Sequence, residues 1–359
     1  MDKFWYTNEL KQLYSELLDI REKDGSNDII DITIKVMEDT FKEDIEDSLR
    51  FNPSLKKNLA FPRHFLTKEY KILSPTSFWW PSIDKIANQK FAFKPQDEPK
   101  LDLTNQDLMD LTHDFYQNGT NKKIYEIFLK LYKNTEFDFI DNEEDINIFG
   151  DSIYLPYYEK FLMRVNRSYT FYDAATMAHE FGHGIEMANN YYKSIYCDIY
   201  VEVVSLFMEM LFYNYFSKSK EFQNTAIDTF QKFYYSSIMD AKRIQLELNI
   251  LREIKSSNLH ILKKNASKYI KNNTGIVNDV IYDTPTSNYT YTIGLSIALE
   301  LFMVYVKDPD KAFYLLFKIM NIKENTPSKE FFNRLITLGI NPCENLSNFD
   351  TYLKRRLSK

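Results

Sequence analysis

The chain has 359 residues, 44% of them hydrophobic and 27% charged, which is enough for a sizeable core in one large or two ordinary domains. The formal net charge of −6, from 51 acidic and 45 scattered basic residues, excludes the basic footprint of proteins that bind nucleic acid or anionic membranes. With two cysteines, no basic and apolar leader, and no stretch approaching ~18 apolar residues, we expect a cytoplasmic protein without a disulfide framework or a membrane span.

Apolar residues recur with helical spacing over residues 5–23 and 28–50, and only 8 glycines interrupt the chain, so we predict a mainly α-helical protein. Most of the prolines lie between residues 51 and 103, which is typical of an irregular connecting region. We therefore divide the chain into an N-terminal helical region, 1–103, and a C-terminal region, 104–359, which carries the chemistry.

The C-terminal region opens with two expected helices over residues 104–134, the first of them capped by Thr104 or Asn105. Residues 146–166 differ, because they are rich in Ile, Tyr, Phe and Val and contain the turn signal FGDS. One or two β-strands are therefore predicted in this segment alone. From about residue 171 the pattern is helical again, so the fold class is mainly α with one small β-sheet.

The most informative segment is an HExxH motif that begins at His179 and ends at His183. Residues four apart on an α-helix share a face and lie roughly 6 Å apart along the axis, so both imidazoles can bind one tetrahedral zinc ion. Glu180 lies next to that face and can accept a proton from zinc-bound water, the general-base role associated with this motif. The sequence thus predicts one zinc ion per chain.

Small residues lie within and beside the motif, namely Ala178, Gly182 and Gly184. Glycine costs about 1 kcal/mol relative to alanine inside a helix. Two glycines so close together therefore predict that another element packs tightly against this helix.

A third protein ligand must come from elsewhere. The histidines outside the motif, which we interpret as ordinary side chains in amphipathic or loop segments, are His64, His113 and His260. Glu186 and Asn189 stand where metzincins carry Gly and His, which excludes that class, and Glu186 is expected to face a neighbouring side chain or solvent. A nearly uncharged downstream helix contains Glu202 and Glu209, and at least one of these buried carboxylates requires a partner.

These residues resemble the thimet oligopeptidase and oligoendopeptidase F family of zinc peptidases. Residues 176–183 match the family pattern T-x-A-H-E-x-G-H, and Glu202-Val-Val-Ser205 followed by Glu209 matches its E-V-x-S segment and later glutamate. The resemblance covers roughly residues 100–305 and implies that Glu202 is the third zinc ligand. It also implies a helical metallopeptidase fold with a small β-sheet beside the HExxH helix and a substrate cleft.

Two further segments are similar to this family. Residues 288–298 resemble its tyrosine-rich stretch, which implies that Tyr291, with Tyr289 second, reaches the developing oxyanion. Turn-forming residues before these tyrosines and Gly294 after them favour a loop that leads into a helix over residues 295–305. The segment FLMRVN, ending at Asn166, resembles the strand before the metal helix and is expected to be an edge strand that pairs with the peptide. The chain departs from the family in lacking a histidine before the tyrosines and in its shorter N-terminal half.

The predicted function is zinc-dependent hydrolysis of internal bonds in short or unfolded peptides. The alternatives are a protease dedicated to one leader or precursor peptide, a non-catalytic peptide-binding protein on the same scaffold, and a zinc hydrolase of a non-peptide amide. The intact Glu180 argues against binding alone, because binding does not need a base. The expected partner is a peptide substrate, with no nucleic acid and no membrane, and the oligomeric state is left open.

Overall fold

A computed structural model describes residues 7–51, 78–89, 99–141, 149–190, 201–253, 289–322 and 328–357. Within them the protein is mainly helical with one small sheet, as predicted. The helices are α1 (Thr7–Asp24), α2 (Asp28–Phe51), α3 (Trp80–Ala87), α4 (Asn105–Gly119), α5 (Lys122–Lys133), α6 (Tyr172–Asn190), α7 (Glu202–Phe216), α8 (Gln223–Glu253), α9 (Tyr289–Tyr305), α10 (Pro309–Met320), α11 (Ser328–Thr337) and α12 (Leu346–Leu357). The strands are β1 (Thr135–Asp141), β2 (Gly150–Leu155) and β3 (Lys160–Arg167). No helix in these ranges is long and apolar enough to cross a bilayer.

The helices predicted before residue 134 are present, and side-chain caps set their starts. Thr104 caps α4: its hydroxyl accepts a hydrogen bond from the Asp107 N–H, and the Asp107 carboxylate accepts one from the Thr104 N–H at 2.7 Å. This reciprocal capping box satisfies two backbone donors that the helix itself leaves unpaired. Asn121 caps α5 in the simpler way, through its side-chain oxygen.

Helix α3 lies inside the segment 51–103, for which an irregular structure was expected. Its Pro81 stands in the first turn, where a missing N–H breaks no helical hydrogen bond. Ile83 and Ile86 are fully buried and join the main core. Proline therefore starts this helix, and much of the remaining segment lies outside the described residues.

The sheet has the strand order β1-β3-β2, with β1 parallel and β2 antiparallel to β3. β1 lies outside the segment in which strands were predicted, although its sequence TEFDFID alternates polar and aromatic residues with the period of a strand. β3 is the central strand, so the prediction of an edge strand ending at Asn166 is wrong. The reason is backbone pairing on both sides: β1 pairs with β3 in parallel and β2 pairs with it antiparallel, so the backbone groups of β3 are already used within the sheet.

Helices cover both faces of the sheet. On one face, Tyr154 of β2 and Met163 of β3 join the main core, together with the interior of α6. On the other face, Ile153 and Leu155 of β2 pack against α1 and α2 through residues such as Met37. Even-numbered residues of β2 therefore point towards α6.

The division of the chain at residue 103, into an N-terminal helical region and a C-terminal region, stays a prediction.

Two close helix contacts confirm the tight packing predicted from the glycines. A Cβ atom added to Gly182 would lie 2.6 Å from the Cα of Ser205, so α6 and α7 meet backbone to backbone. At Gly184 an added Cβ would lie 2.8 Å from the ring of Phe161. A third glycine, Gly294, brings α9 equally close to α7, with an added Cβ 2.7 Å from the Cβ of Glu202.

We expect Gly182→Ala to lower the free energy of unfolding by about 1–3 kcal/mol, because the new methyl group must separate two backbones. Helix propensity alone predicts the opposite sign, a gain of about 1 kcal/mol. Gly184→Ala should lower it less, since the obstructing atoms belong to the Phe161 ring. Urea unfolding of both variants measures this, and a stabilised Gly182→Ala protein would contradict the packing described here.

Candidate active site

Helix α6 is anchored at its start by Asp173. This buried carboxylate accepts hydrogen bonds from the backbone N–H groups of Ser168 and Tyr169, both at 2.9 Å, and from Arg167 Nε at 3.1 Å. Negative charge near a helix N-terminus is favourable, and a fully satisfied buried ion pair holds one geometry. The connection from β3 to α6 is therefore fixed, six residues before His179.

Three donor atoms from two helices converge on one point. His179 Nε2 and His183 Nε2 of α6 are 3.1 Å apart, and Glu202 Oε2 of α7 lies 3.3 and 3.4 Å from them. In a tetrahedral zinc site with bonds near 2.05 Å, neighbouring ligand atoms are about 3.3 Å apart. The triangle thus has the dimensions of a zinc site. Within the described residues, these two histidines and this glutamate form a group that could hold a metal ion.

The electrostatics of the triangle also favour a cation. Burial lowers the pKa of His179, but hydrogen bonds to Glu202 and Glu209 outweigh it, so the pKa is raised well above its usual value. Burial raises the pKa of Glu202, yet the charges of His183 and His179 outweigh burial and hold this pKa well below its usual range. The site therefore keeps its carboxylate ionised and attracts positive charge, either as protons or as a metal ion.

Glu209 orients the first histidine from the side opposite the triangle. Its Oε2 lies 2.9 Å from His179 Nδ1, and Tyr213 donates a 2.6 Å hydrogen bond to its Oε1. A proton on Nδ1 leaves Nε2 free to act as a ligand, which is the usual arrangement of a carboxylate behind a metal-bound histidine. Of the two glutamates that the residues alone left open, Glu202 reaches the triangle and Glu209 lies behind it.

Glu180 faces β2 and is not one of the three clustered donors. Ser152 donates a 2.6 Å hydrogen bond to its Oε2. Gly150 makes room for the carboxylate, since an added Cβ would lie 2.6 Å from Glu180 Oε1 and 2.6 Å from Thr176 Cγ2. The Glu180 side chain therefore lies beside the clustered donors, against the edge of the sheet.

A cleft of about 550 Å³ opens beside these groups and is lined by His179, Glu180 and Tyr291. Its other walls come from the start of β2, the first turn of α6, and α8. Tyr291 is 44% exposed, and its ring lies parallel to that of His179 with 6.1 Å between centroids. The negative charge of Glu202, followed by burial, raises the pKa of Tyr291 well above its usual value, so the phenol is a hydrogen-bond donor at neutral pH.

The tyrosines lie in the first turn of α9, where a loop was predicted. The helix continues through Gly294. This glycine faces α7, and the two helices pack so closely there that a side chain would not fit. The side chain of Tyr289 lies outside the described residues. Tyr291 is therefore the tyrosine of this pair that the structure places in the cleft.

The remaining described candidates are not among the three clustered donors. His113 packs among Tyr125, Phe128 and Tyr132, as an ordinary histidine does. Glu186 is half-buried, and burial raises its pKa to about 8. The histidines outside the described residues are His64 and His260. Sequence patterns gave no signal for Ser152, because its partner Glu180 lies 28 residues away on another element. They gave none for Tyr213 either, because its contact with Glu209 on the preceding turn of α7 forms no motif.

No family model matches the chain, and no curated protein matches it in sequence. Among solved structures it resembles a protein assigned as an oligoendopeptidase F, with 10% identity and a TM-score of 0.58 over 96% of this chain and 71% of that one. It also resembles PZ peptidase A solved with an inhibitor, with 11% identity and a TM-score of 0.53 over 98% of this chain and 75% of that one. A third similar structure is a protein assigned as an oligoendopeptidase F from Bacillus anthracis, with 12% identity and a TM-score of 0.51 over 97% of this chain and 74% of that one. The chain therefore has the helical fold of these peptidases, which confirms the resemblance at the level of fold.

We expect Tyr213→Phe to lower the free energy of unfolding by about 1–3 kcal/mol, because it leaves a buried acceptor of Glu209 without its donor. Tyr314→Phe is the matched control: Tyr314 is 59% exposed, and its variant should be as stable as the wild type. Chemical unfolding of both proteins gives the comparison. Equal stabilities for the two variants would show that the bond between Tyr213 and Glu209 is not formed.

Proposed function

We propose that this chain is a zinc-dependent endopeptidase that hydrolyses internal bonds of short or unfolded peptides. The observation that carries the proposal is the triangle of His179, His183 and Glu202, which has the dimensions of a zinc site and adjoins a cleft. The fold shared with oligoendopeptidase structures supports a peptide as the substrate class.

The proposed division of labour follows from where each side chain lies. Zinc bound by the three donors would polarise a carbonyl and lower the pKa of water towards about 7. Glu180 faces the cleft with an ionisable carboxylate, so it can accept the proton of the attacking water and pass it to the leaving amine. Glu209 keeps the proton of His179 on Nδ1, and this leaves Nε2 available as a ligand.

The outer edge of β2 is the proposed binding edge for the peptide, in place of β3. The Asn166 N–H donates to the Phe149 carbonyl, directly opposite it, so these two residues form a hydrogen-bonded pair of the antiparallel ladder. Such pairs alternate with non-bonded pairs, and residues 150, 152 and 154 therefore turn their backbone groups away from β3. An extended peptide can add to that edge by β-augmentation, next to Glu180.

Zinc content tests the ligand assignment. The variants His179→Ala, His183→Ala and Glu202→Ala should purify with little zinc, whereas wild type carries about one ion per chain. Glu209→Ala is the control for removal of a nearby carboxylate and should retain more zinc, since Glu209 lies behind the ligand. If Glu202→Ala kept full zinc and Glu209→Ala lost it, the assignment would be wrong.

Cleavage of a quenched fluorescent peptide tests the activity itself. The zinc-loaded wild type should cleave it, a chelator should abolish cleavage, and added zinc should restore it. Cleavage that persists at full rate in the metal-depleted protein would exclude a metallopeptidase. A folded globular protein should resist, because its backbone is not available as an extended strand.

Tyr291→Phe tests the proposed oxyanion donor. Losing one such donor typically lowers the catalytic rate by about 10²–10³-fold. Zinc content should not change, because Tyr291 does not belong to the triangle, and peptide affinity should change little. A turnover close to that of the wild type would mean that this tyrosine only packs against His179.

A further inference from the structure

We propose that Ser152 is a positioning residue that links the binding of the peptide to the orientation of Glu180. The inference rests on the proposed function and deepens it, since it concerns how the same site aligns its base. It follows from two features of β2: the hydrogen bond that the Ser152 side chain makes, and the different directions in which the side chain and the backbone groups of Ser152 point.

The first feature is the contact itself. The Ser152 hydroxyl donates to Glu180 Oε2 at 2.6 Å, and among the described residues it provides the side-chain hydrogen bond that this carboxylate receives. Glu180 is 6% exposed, and the absence of a side chain at Gly150 creates the space for its other oxygen. A glutamate has three rotatable bonds, so without a partner its carboxylate would sample several positions. The bond from Ser152 selects one of them.

The second feature is the double orientation of Ser152. Its side chain points to the face of the sheet that α6 covers, as that of Tyr154 does, and Gly150 leaves space for Glu180 on the same face. Its backbone N–H and C=O lie in the plane of the sheet and turn away from β3, towards the proposed peptide edge. One residue can therefore contact the substrate through its backbone and the base through its side chain.

The consequence is a link between binding and catalysis. A peptide that pairs with the edge of β2 holds Ser152 in place, and Ser152 in turn holds Glu180. Misplacement of a catalytic group by about 1 Å can cost on the order of 10²-fold in rate, so this restraint affects the catalytic step more than binding.

Steady-state kinetics of three variants test the positioning role. Ser152→Ala should lower kcat by about 10- to 100-fold with little change in KM or zinc content. Ser152→Thr keeps the hydroxyl and should recover most of kcat. Ser217→Ala is the matched control, because its hydroxyl bonds to the Asn214 carbonyl at the end of α7, and its kcat should equal that of the wild type. Ser152→Ala with wild-type kcat, or Ser152→Thr as slow as Ser152→Ala, would overturn the proposal.

A second measurement needs neither metal nor activity. In the metal-depleted protein, the decreases in Tm caused by Ser152→Ala and Glu180→Ala should be non-additive, because each variant removes the same hydrogen bond. Strictly additive shifts would show that the contact is not formed and would overturn the inference. A wild type that binds zinc but cleaves no peptide would instead refute the proposed function, and with it the positioning role, whatever the Tm cycle shows.

Discussion

The site depends on the contact between the backbones of α6 and α7 at Gly182 and Ser205, where an added Cβ atom would lie 2.6 Å from the opposing Cα. This approach brings Glu202, at the start of α7, within 3.4 Å of both histidines of α6. Gly294 allows α9 to press almost equally closely against Glu202 of α7. Glu202 is therefore held between two helices, and its carboxylate has little freedom to leave the triangle.

The same stack of helices satisfies groups that would otherwise be costly to bury. Glu209 lies about two turns after Glu202 on α7, and it pairs with His179 Nδ1 and the Tyr213 hydroxyl. Ser205 donates to Glu202 Oε2 at 3.0 Å. Each buried carboxylate thus has fixed donors, so the arrangement presents donor atoms already spaced for a metal ion.

Local patterns predicted those parts that depend on residues close in sequence. Helical periodicity predicted α1 and α2, a capping residue predicted the start of α4, and the spacing of His179 and His183 predicted two donors on one face. The order of the strands could not be read in this way, because it depends on pairing between distant segments, and the central position of β3 overturned its predicted role as an edge. The link from Ser152 to Glu180 spans 28 residues and has no pattern of its own.

The most direct test of the central claim is mass spectrometry of a mixed peptide library after incubation with zinc-loaded wild type and with Glu180→Gln. The wild type should release fragments cut at internal bonds. Glu180→Gln should retain its zinc, because Glu180 is not one of the clustered donors, and should cut about 10²–10⁴-fold more slowly. A Glu180→Gln protein that cuts within a factor of about ten of the wild type would contradict the account, since general-base catalysis by Glu180 would then be dispensable.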